Sequence, residues 1–89
     1  MRVEIAAGVV DGNAAAGLLA EVFDADVTAL IGVCGGCRAA APLGETVVEI
    51  DDVAAIVRCR SCTHTLLTVL RTEGGVRVVL GALRELERR

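Results

Sequence analysis

The chain has 89 residues, which fits one domain and lies near the lower limit at which an apolar core stabilises a fold unaided. Hydrophobic residues make up 54% of it, but Phe23 is the only aromatic residue, so we expect the core to need a second source of stability. The net charge of −3 argues against a strongly basic nucleic-acid-binding surface, which usually also carries stacking aromatic rings.

The sequence predicts neither export nor membrane insertion. Its start, Met1-Arg2-Val3-Glu4, places an acid where the apolar part of a secretory signal would begin. No uncharged run reaches the roughly 18–20 residues that span a bilayer. We therefore expect a cytoplasmic protein without a membrane partner, in a compartment where thiols stay reduced and paired cysteines favour metal over disulfides.

The chain divides into a lead-in segment, residues 1–10, and a single domain, residues 11–89. The lead-in carries a short apolar pattern over Val3, Ile5 and Val9-Val10 that favours an edge strand. No repeat, low-complexity tract or linker follows, so we expect one unit.

An amphipathic helix of about three turns is predicted at the start of the domain. Asp11-Gly12-Asn13 indicates where it begins, because a side-chain oxygen there can accept a hydrogen bond from a first-turn amide. The apolar residues at helical spacing are Ala15, Leu18, Leu19, Val22 and Phe23. The helix is expected to end near Asp24. Gly17 on its outer face weakens it, so we expect it to depend on docking.

Three strands are predicted in the middle of the chain. Residues 27–33 form the first, with alternate side chains on one face. Residues 45–51 form the second, in which side chains alternate between the two faces. The inward residues are Thr46, Val48 and Ile50, and the outward acids are Glu45, Glu49 and Asp51. Residues 55–58 form the third.

The last third of the chain predicts a hairpin. Residues 63–72 and 76–80 flank Gly74-Gly75, and both glycines accept the positive φ that tight hairpin turns require. Gly81 ends the second strand. Residues 82–89 are expected to form a final helical turn with a frayed ionic end.

Four cysteines form two Cys-x-x-Cys pairs, Cys34-Gly35-Gly36-Cys37 and Cys59-Arg60-Ser61-Cys62, with 21 residues between them. Each pair on a tight turn directs two sulfurs at one point, and two such turns complete a tetrahedron around Zn²⁺. Buried structural thiols rarely occur as two spaced pairs. The pattern therefore predicts a metal site, with zinc favoured over a rubredoxin-like iron because a closed four-thiolate site suits a structural d¹⁰ ion.

The residues after each pair leave the geometry of the turns open. Zinc-binding turns often place glycine just after the second cysteine, where φ is positive, but here Arg38 and Thr63 occupy these positions. A β-branched threonine at positive φ would be an outlier. Either the turns differ from the common form, or these two residues are not left-handed.

A redox dithiol is the alternative use of the cysteine pairs. That chemistry requires a low thiol pKa, usually supplied by a helix N-terminus, whereas Cys34 follows a predicted strand. Arg58 and Arg60 beside Cys59 would lower its pKa, which favours metal ligation equally. His64, the only histidine, is interpreted as a strand side chain, because a fifth ligand is unnecessary and no companions form a catalytic set.

Charge is distributed unevenly along the chain. Residues 1–52 contain nine acids and two arginines, and residues 53–89 contain three acids and seven arginines. We expect the arginines to be neutralised mainly within the fold by the row of outward acids, and an external anion such as nucleic-acid phosphate is the alternative. The arginines concerned are Arg58, Arg60, Arg71 and Arg77, of which the last two would face each other across a three-residue hairpin loop.

The motifs together resemble a known family. They are Asp11-Gly12-Asn13-Ala14, then Gly17, Leu19, Phe23, Asp26 and Thr28, followed by Cys-x-x-Cys and Arg-Cys-x-x-Cys. This combination resembles an uncharacterised family of small bacterial proteins, a domain of unknown function, over roughly residues 11–81. It departs at Arg38, where the family tends to have glycine. The resemblance implies a zinc-ribbon-like module and no reaction.

The sequence therefore predicts a small α+β domain, in which one N-terminal amphipathic helix packs on an antiparallel zinc ribbon. The ligands of one structural Zn²⁺ are predicted to be Cys34, Cys37, Cys59 and Cys62. We expect no catalysis and no small-molecule substrate, and a protein partner or a homodimer as the binding function. The alternatives are a nucleic-acid-binding zinc ribbon with a role in transcription and a thiol redox protein.

Overall fold

A computed structural model describes residues 8–24 and 26–88. Within them lie one helix, α1 (Ala16–Phe23), and eight strands. The strands are β1 (Gly8–Asp11), β2 (Ile31–Cys34), β3 (Ala40–Pro42), β4 (Val47–Ile50), β5 (Ala54–Arg58), β6 (Thr65–Thr72), β7 (Gly75–Leu80) and β8 (Leu83–Glu87). A 3-10 turn, Leu43–Glu45, precedes β4. No helix in this part of the chain is both long and apolar enough to cross a membrane.

All strand pairs are antiparallel and form two sheets. The larger sheet has the order β1-β4-β5-β6-β7, and the smaller one has the order β3-β2-β8. The first cysteine pair begins at Cys34, the last residue of β2, and continues into the connection to β3. The second pair lies in the connection from β5 to β6. Each sheet therefore supplies one cysteine pair. The predicted α+β fold, one helix with antiparallel sheets, is confirmed.

The core lies on one face of the larger sheet. Val48, Val57 and Leu67 are directly opposed across β4, β5 and β6, and none is more than 1% exposed. Ala15, the residue before α1, is buried in this core, and Leu18 and Val22 of α1 pack against it. The alternation predicted for residues 45–51 is confirmed, because Thr46 and Val48 are buried whereas Glu49 is exposed.

α1 begins later than the sequence predicts because the preceding turn is tied to the 3-10 turn. The Gly12 N–H donates to the Thr46 carbonyl oxygen and the Asn13 N–H donates to the Gly44 carbonyl oxygen, both at 3.0 Å. The Asp11 carboxylate accepts a hydrogen bond from the Ala14 N–H at 2.8 Å. Asp11 therefore caps the turn before α1 and not the first turn of the helix. The helix ends at Phe23, and the capping residue Asp24 is left-handed with φ 58°, close to the predicted end.

The strand predicted over residues 27–33 is shorter, because β2 begins only at Ile31. The Asp26 carboxylate accepts hydrogen bonds from the Thr28 N–H at 3.0 Å and the Thr28 hydroxyl at 2.7 Å. These bonds lower the pKa of Asp26 and fix a turn where the alternation predicted extended chain.

The helical turn predicted over residues 82–89 is wrong, since Leu83–Glu87 is strand β8. It pairs with β2, with Ile31 opposite Glu87 and Gly32 opposite Leu86. Leucine, glutamate and arginine favour helix locally, but β2 would otherwise present an unpaired edge on this side. Pairing across the fold therefore overrides the local preference.

The predicted hairpin at Gly74-Gly75 is present, but its loop has two residues rather than three. Thr72 is opposite Gly75, so Arg71 is opposite Val76 and Arg77 is opposite Leu70. The two arginines therefore do not face each other. At the other edge of the sheet, β1 includes the predicted Val9-Val10 strand, whereas Val3 and Ile5 lie outside the described residues.

Two glycine substitutions should shift stability in opposite directions. Gly17 has open space around its Cα on the exposed side of α1, so Gly17→Ala should raise the free energy of unfolding by about 1 kcal/mol. A Cβ on Gly12 would overlap the carbonyl oxygen of Leu43, so Gly12→Ala should lower it by about 1–3 kcal/mol. Denaturant titrations of both variants measure these changes. A Gly12→Ala protein as stable as Gly17→Ala would contradict the close contact between Gly12 and the 3-10 turn.

Candidate metal centre

The structure brings all four predicted cysteines together. Their sulfurs lie within 4.8 Å of one another, and the four thiols are free. The Cys34 and Cys62 sulfurs are 3.5 Å apart, and those of Cys37 and Cys59 are 3.7 Å apart. Tetrahedral Zn–S bonds of ~2.3 Å require sulfurs ~3.8 Å apart. The donor set and its spacing therefore fit one tetrahedral metal ion.

The two cysteine turns have the same main-chain hydrogen bonds. In the first, the Cys34 N–H donates to the Ala39 carbonyl oxygen at 3.0 Å, and the Arg38 N–H donates to the Cys34 carbonyl oxygen at 2.8 Å. In the second, the Cys59 N–H donates to the His64 oxygen and the Thr63 N–H donates to the Cys59 oxygen, both at 2.9 Å. Each turn thus closes on its own strands and presents two sulfurs on one side.

Arg38 and Thr63 adopt the left-handed conformation, with φ 69° and 67°. The question that the sequence left open is thereby answered: both turns have the common form although neither carries glycine at this position. Threonine is disfavoured there because its branched Cβ is crowded. Hydrogen bonds hold the residue in place, since the Arg58 guanidinium donates to the Thr63 carbonyl oxygen at 3.3 Å.

The four sulfurs differ in their exposure to solvent. Cys34 and Cys59 are 1% and 6% exposed, Cys62 is half-buried and Cys37 is exposed. The buried Cys34 sulfur accepts a hydrogen bond from the Gly36 N–H at 3.3 Å. One side of the cluster therefore faces the core, and the other side faces solvent.

The thiols perturb each other's ionisation. Burial raises the pKa of Cys59, but the N–H groups of Cys62 and Ser61 and two neighbouring sulfurs outweigh it and lower the pKa to about 7. The His64 N–H lowers the pKa of Cys62, but burial and the other three sulfurs raise it to about 12. The neighbouring sulfurs therefore disfavour the thiolate of Cys62, and a divalent cation would remove this repulsion.

His64 is a site residue that the sequence reasoning missed. The sequence predicts a strand side chain, but β6 begins at Thr65, and the His64 Nδ1 lies 3.1 Å from the Cys62 sulfur. Its ring also lies over Gly36 of the other turn. The signal in the sequence is its position two residues after Cys62, where the backbone closes the cysteine turn.

The arginines pair largely with groups of the same chain. Arg58 Nε is 2.8 Å from a Glu49 carboxylate oxygen, and Arg71 is 3.4 Å from the carboxylate of Glu21 on α1. Arg60 Nε donates to the Glu45 carbonyl oxygen at 2.6 Å. Glu49 belongs to the acidic row predicted to neutralise them, whereas the sequence did not indicate Glu21.

Comparison with known proteins places these features in a family. Residues 5–89 match the model of a family of unknown function, DUF6510. The chain belongs to this family. The match includes both cysteine turns, α1 and all the strands, and it confirms the resemblance to an uncharacterised domain. No curated protein and no solved structure gives a significant match, so the functional conclusion rests on the geometry of the site.

Replacing Thr63 should reveal the strain in the second cysteine turn. Thr63→Gly should raise the free energy of unfolding by about 1 kcal/mol, because glycine accepts φ 67° without a steric penalty. Thr65→Gly is the control, since Thr65 lies in β6, where glycine weakens the strand. Denaturant titration checks both variants, and a Thr63→Gly protein less stable than wild type would refute the assigned strain.

Proposed function

We propose that the chain is a small binding module in which Cys34, Cys37, Cys59 and Cys62 hold one structural Zn²⁺. The sulfur spacing carries this proposal, because it matches a closed tetrahedral four-thiolate site. Zinc is preferred to iron because it needs no redox partner and serves as a structural cross-link.

A metal at this position would join the two sheets. The first cysteine turn belongs to the β2–β3 hairpin of the smaller sheet, and the second belongs to the β5–β6 hairpin of the larger sheet. When bound, the ion supplies charge neutralisation and a cross-link, and its binding free energy becomes folding free energy. This is the stability that a core with one aromatic residue lacks.

We propose no catalytic role. Four sulfurs occupy every position of a tetrahedral ion, which leaves none for water or substrate. The arginine contacts also make an external anion the weaker alternative, because Arg58 and Arg71 already bind carboxylates of the same chain. The function that remains is binding of a protein partner, and the geometry favours a second copy of the chain.

The surface that supports self-association is the outer edge of β7, with which no other described strand pairs. β7 ends the larger sheet, and three of its apolar side chains are prominently exposed: Val76 at 40%, Val79 at 47% and Leu80 at 70%. Arg77 is the only charged residue in the strand. Natural edge strands are usually protected by charge, proline or a bulge. An unprotected apolar edge is therefore suited to strand pairing.

The hydrogen-bond phase shows which groups of β7 face outward. The Gly81 N–H donates to the Leu66 carbonyl oxygen at 2.8 Å, so Leu66 and Gly81 are a hydrogen-bonded pair. The next pair along the strands, Leu67 and Leu80, is therefore a non-bonded pair. Bonded and non-bonded pairs alternate in antiparallel sheets, so the main-chain groups of residues 76, 78 and 80 point away from β6. An antiparallel partner strand can therefore pair with β7 without disturbing the sheet.

A two-fold axis at Val78 makes this edge complementary to itself. Antiparallel pairing about that axis places Val76 opposite Leu80 of the second copy and Arg77 opposite Val79 of the second copy. The two arginines are then not directly opposed. Because the contact is isologous, it closes at a dimer and does not propagate into a filament.

Metal content tests the site. Purified wild-type protein should contain one zinc per chain by elemental analysis, and Cys34→Ser should lose most of it because oxygen replaces a buried thiolate ligand. Ser61→Ala, in the second turn, is the control and should retain the metal. A wild-type protein that folds without metal, or that contains iron, would contradict the proposed zinc site.

Sedimentation equilibrium tests the edge. The wild-type protein should show a concentration-dependent dimer, and Leu80→Lys should be monomeric because it places a charge at the paired edge. Val78→Pro should also be monomeric yet folded, since the N–H it removes points outward. Val79→Pro is the control, because it removes a bond to β6 and should destabilise the fold. A monomeric wild type, or dimers that persist in Leu80→Lys, would contradict the assigned surface.

A further inference from the structure

We infer that His64 is a positioning residue for the metal centre, in which its Nδ1–H donates a hydrogen bond to the Cys62 thiolate. The inference rests on the proposed metal site, but it concerns a side chain outside the four ligands. It assigns a role to the only histidine of the chain.

The geometry supports a direct contact. The His64 Nδ1 lies 3.1 Å from the Cys62 sulfur, a hydrogen-bond distance for sulfur, and the contact lies at the exposed side of the cluster. Cys62 is the more exposed sulfur of the second turn, whereas Cys59 is 6% exposed and faces the core. The contact therefore covers the side of the second pair that solvent would otherwise reach.

The direction of the hydrogen bond follows from the charge of the sulfur. A metal-bound cysteine is a thiolate and carries no hydrogen, so it can only accept. The imidazole must then be the donor, which places its proton on Nδ1. Such a bond withdraws negative charge from the sulfur and fixes its orientation, as outer-shell partners of metal ligands generally do.

The ring is held in place by both cysteine turns. The backbone of His64 closes the second turn, since its carbonyl oxygen accepts the Cys59 N–H at 2.9 Å. Its side chain lies over Gly36 of the first turn, where an added Cβ would lie 2.8 Å from Nδ1. Gly36 is therefore required for the ring to reach Cys62, and the histidine couples the two turns directly.

Variants of His64 separate hydrogen bonding from packing. His64→Phe retains an aromatic ring over Gly36 but removes the donor, whereas His64→Asn places an amide N–H close to the position of Nδ1. Zinc affinity, measured by competition with a chromophoric chelator, should fall about 10–100-fold in His64→Phe and recover in His64→Asn. Gly36→Ala should weaken binding in the same direction, because its methyl group displaces the ring.

A spectroscopic readout distinguishes this role from simple stabilisation. In the Co²⁺-substituted protein, loss of the hydrogen bond raises the energy of the sulfur lone pair. The sulfur-to-cobalt charge-transfer band should therefore shift to longer wavelength in His64→Phe and return in His64→Asn. Gly17→Ala is the control for a substitution remote from the site, and it should leave the band unchanged.

Three outcomes would overturn the inference. His64→Phe with wild-type zinc affinity and an unshifted band would show that the contact has no influence on the metal. Loss of the tetrahedral cobalt spectrum in His64→Asn, combined with its retention in Cys62→Ser, would make His64 a ligand. A wild-type protein that binds no metal would remove the proposed function as well. The first outcome would leave that function intact, and the second would keep the metal site but replace Cys62 by His64 among its ligands.

Discussion

The convergence of four cysteine sulfurs on one point is the constraint on which the structure depends. All four lie within 4.8 Å of one another, and although the His64 N–H lowers the pKa of Cys62, burial and repulsion from the other three sulfurs raise it to about 12. A divalent cation converts this repulsion into attraction, since each thiolate then binds the ion. Because the two cysteine pairs come from different sheets, the same ion would fasten the sheets together.

The two cysteine turns share one backbone geometry although their sequences differ. One turn contains two glycines and the other contains Arg60 and Ser61, yet the main-chain hydrogen bonds are equivalent. The same geometry forces Arg38 and Thr63 into the left-handed region. A strained conformation at matching positions of both turns indicates that the placement of the sulfurs takes precedence over local backbone preference.

The sequence predicted those features whose signal is local. The cysteine spacing located the site, and the alternation around Val48 located the buried face of β4. Features that depend on distant pairing were not predictable in the same way. The segment that forms β8 has helix-favouring residues and becomes a strand only because β2 is available beside it. The Arg71–Glu21 contact likewise requires α1 to lie on the sheet, and the contact of His64 with Cys62 requires the closed turn.

The central claim is that a bound ion supplies stability which the small aliphatic core lacks. It is tested most directly by the free energy of unfolding, measured by denaturant titration of the zinc-loaded wild-type protein before and after metal removal by a chelator. The account predicts loss of the cooperative transition, or a large fall in its midpoint, and recovery when zinc is restored. An unchanged transition in the metal-free protein would contradict it.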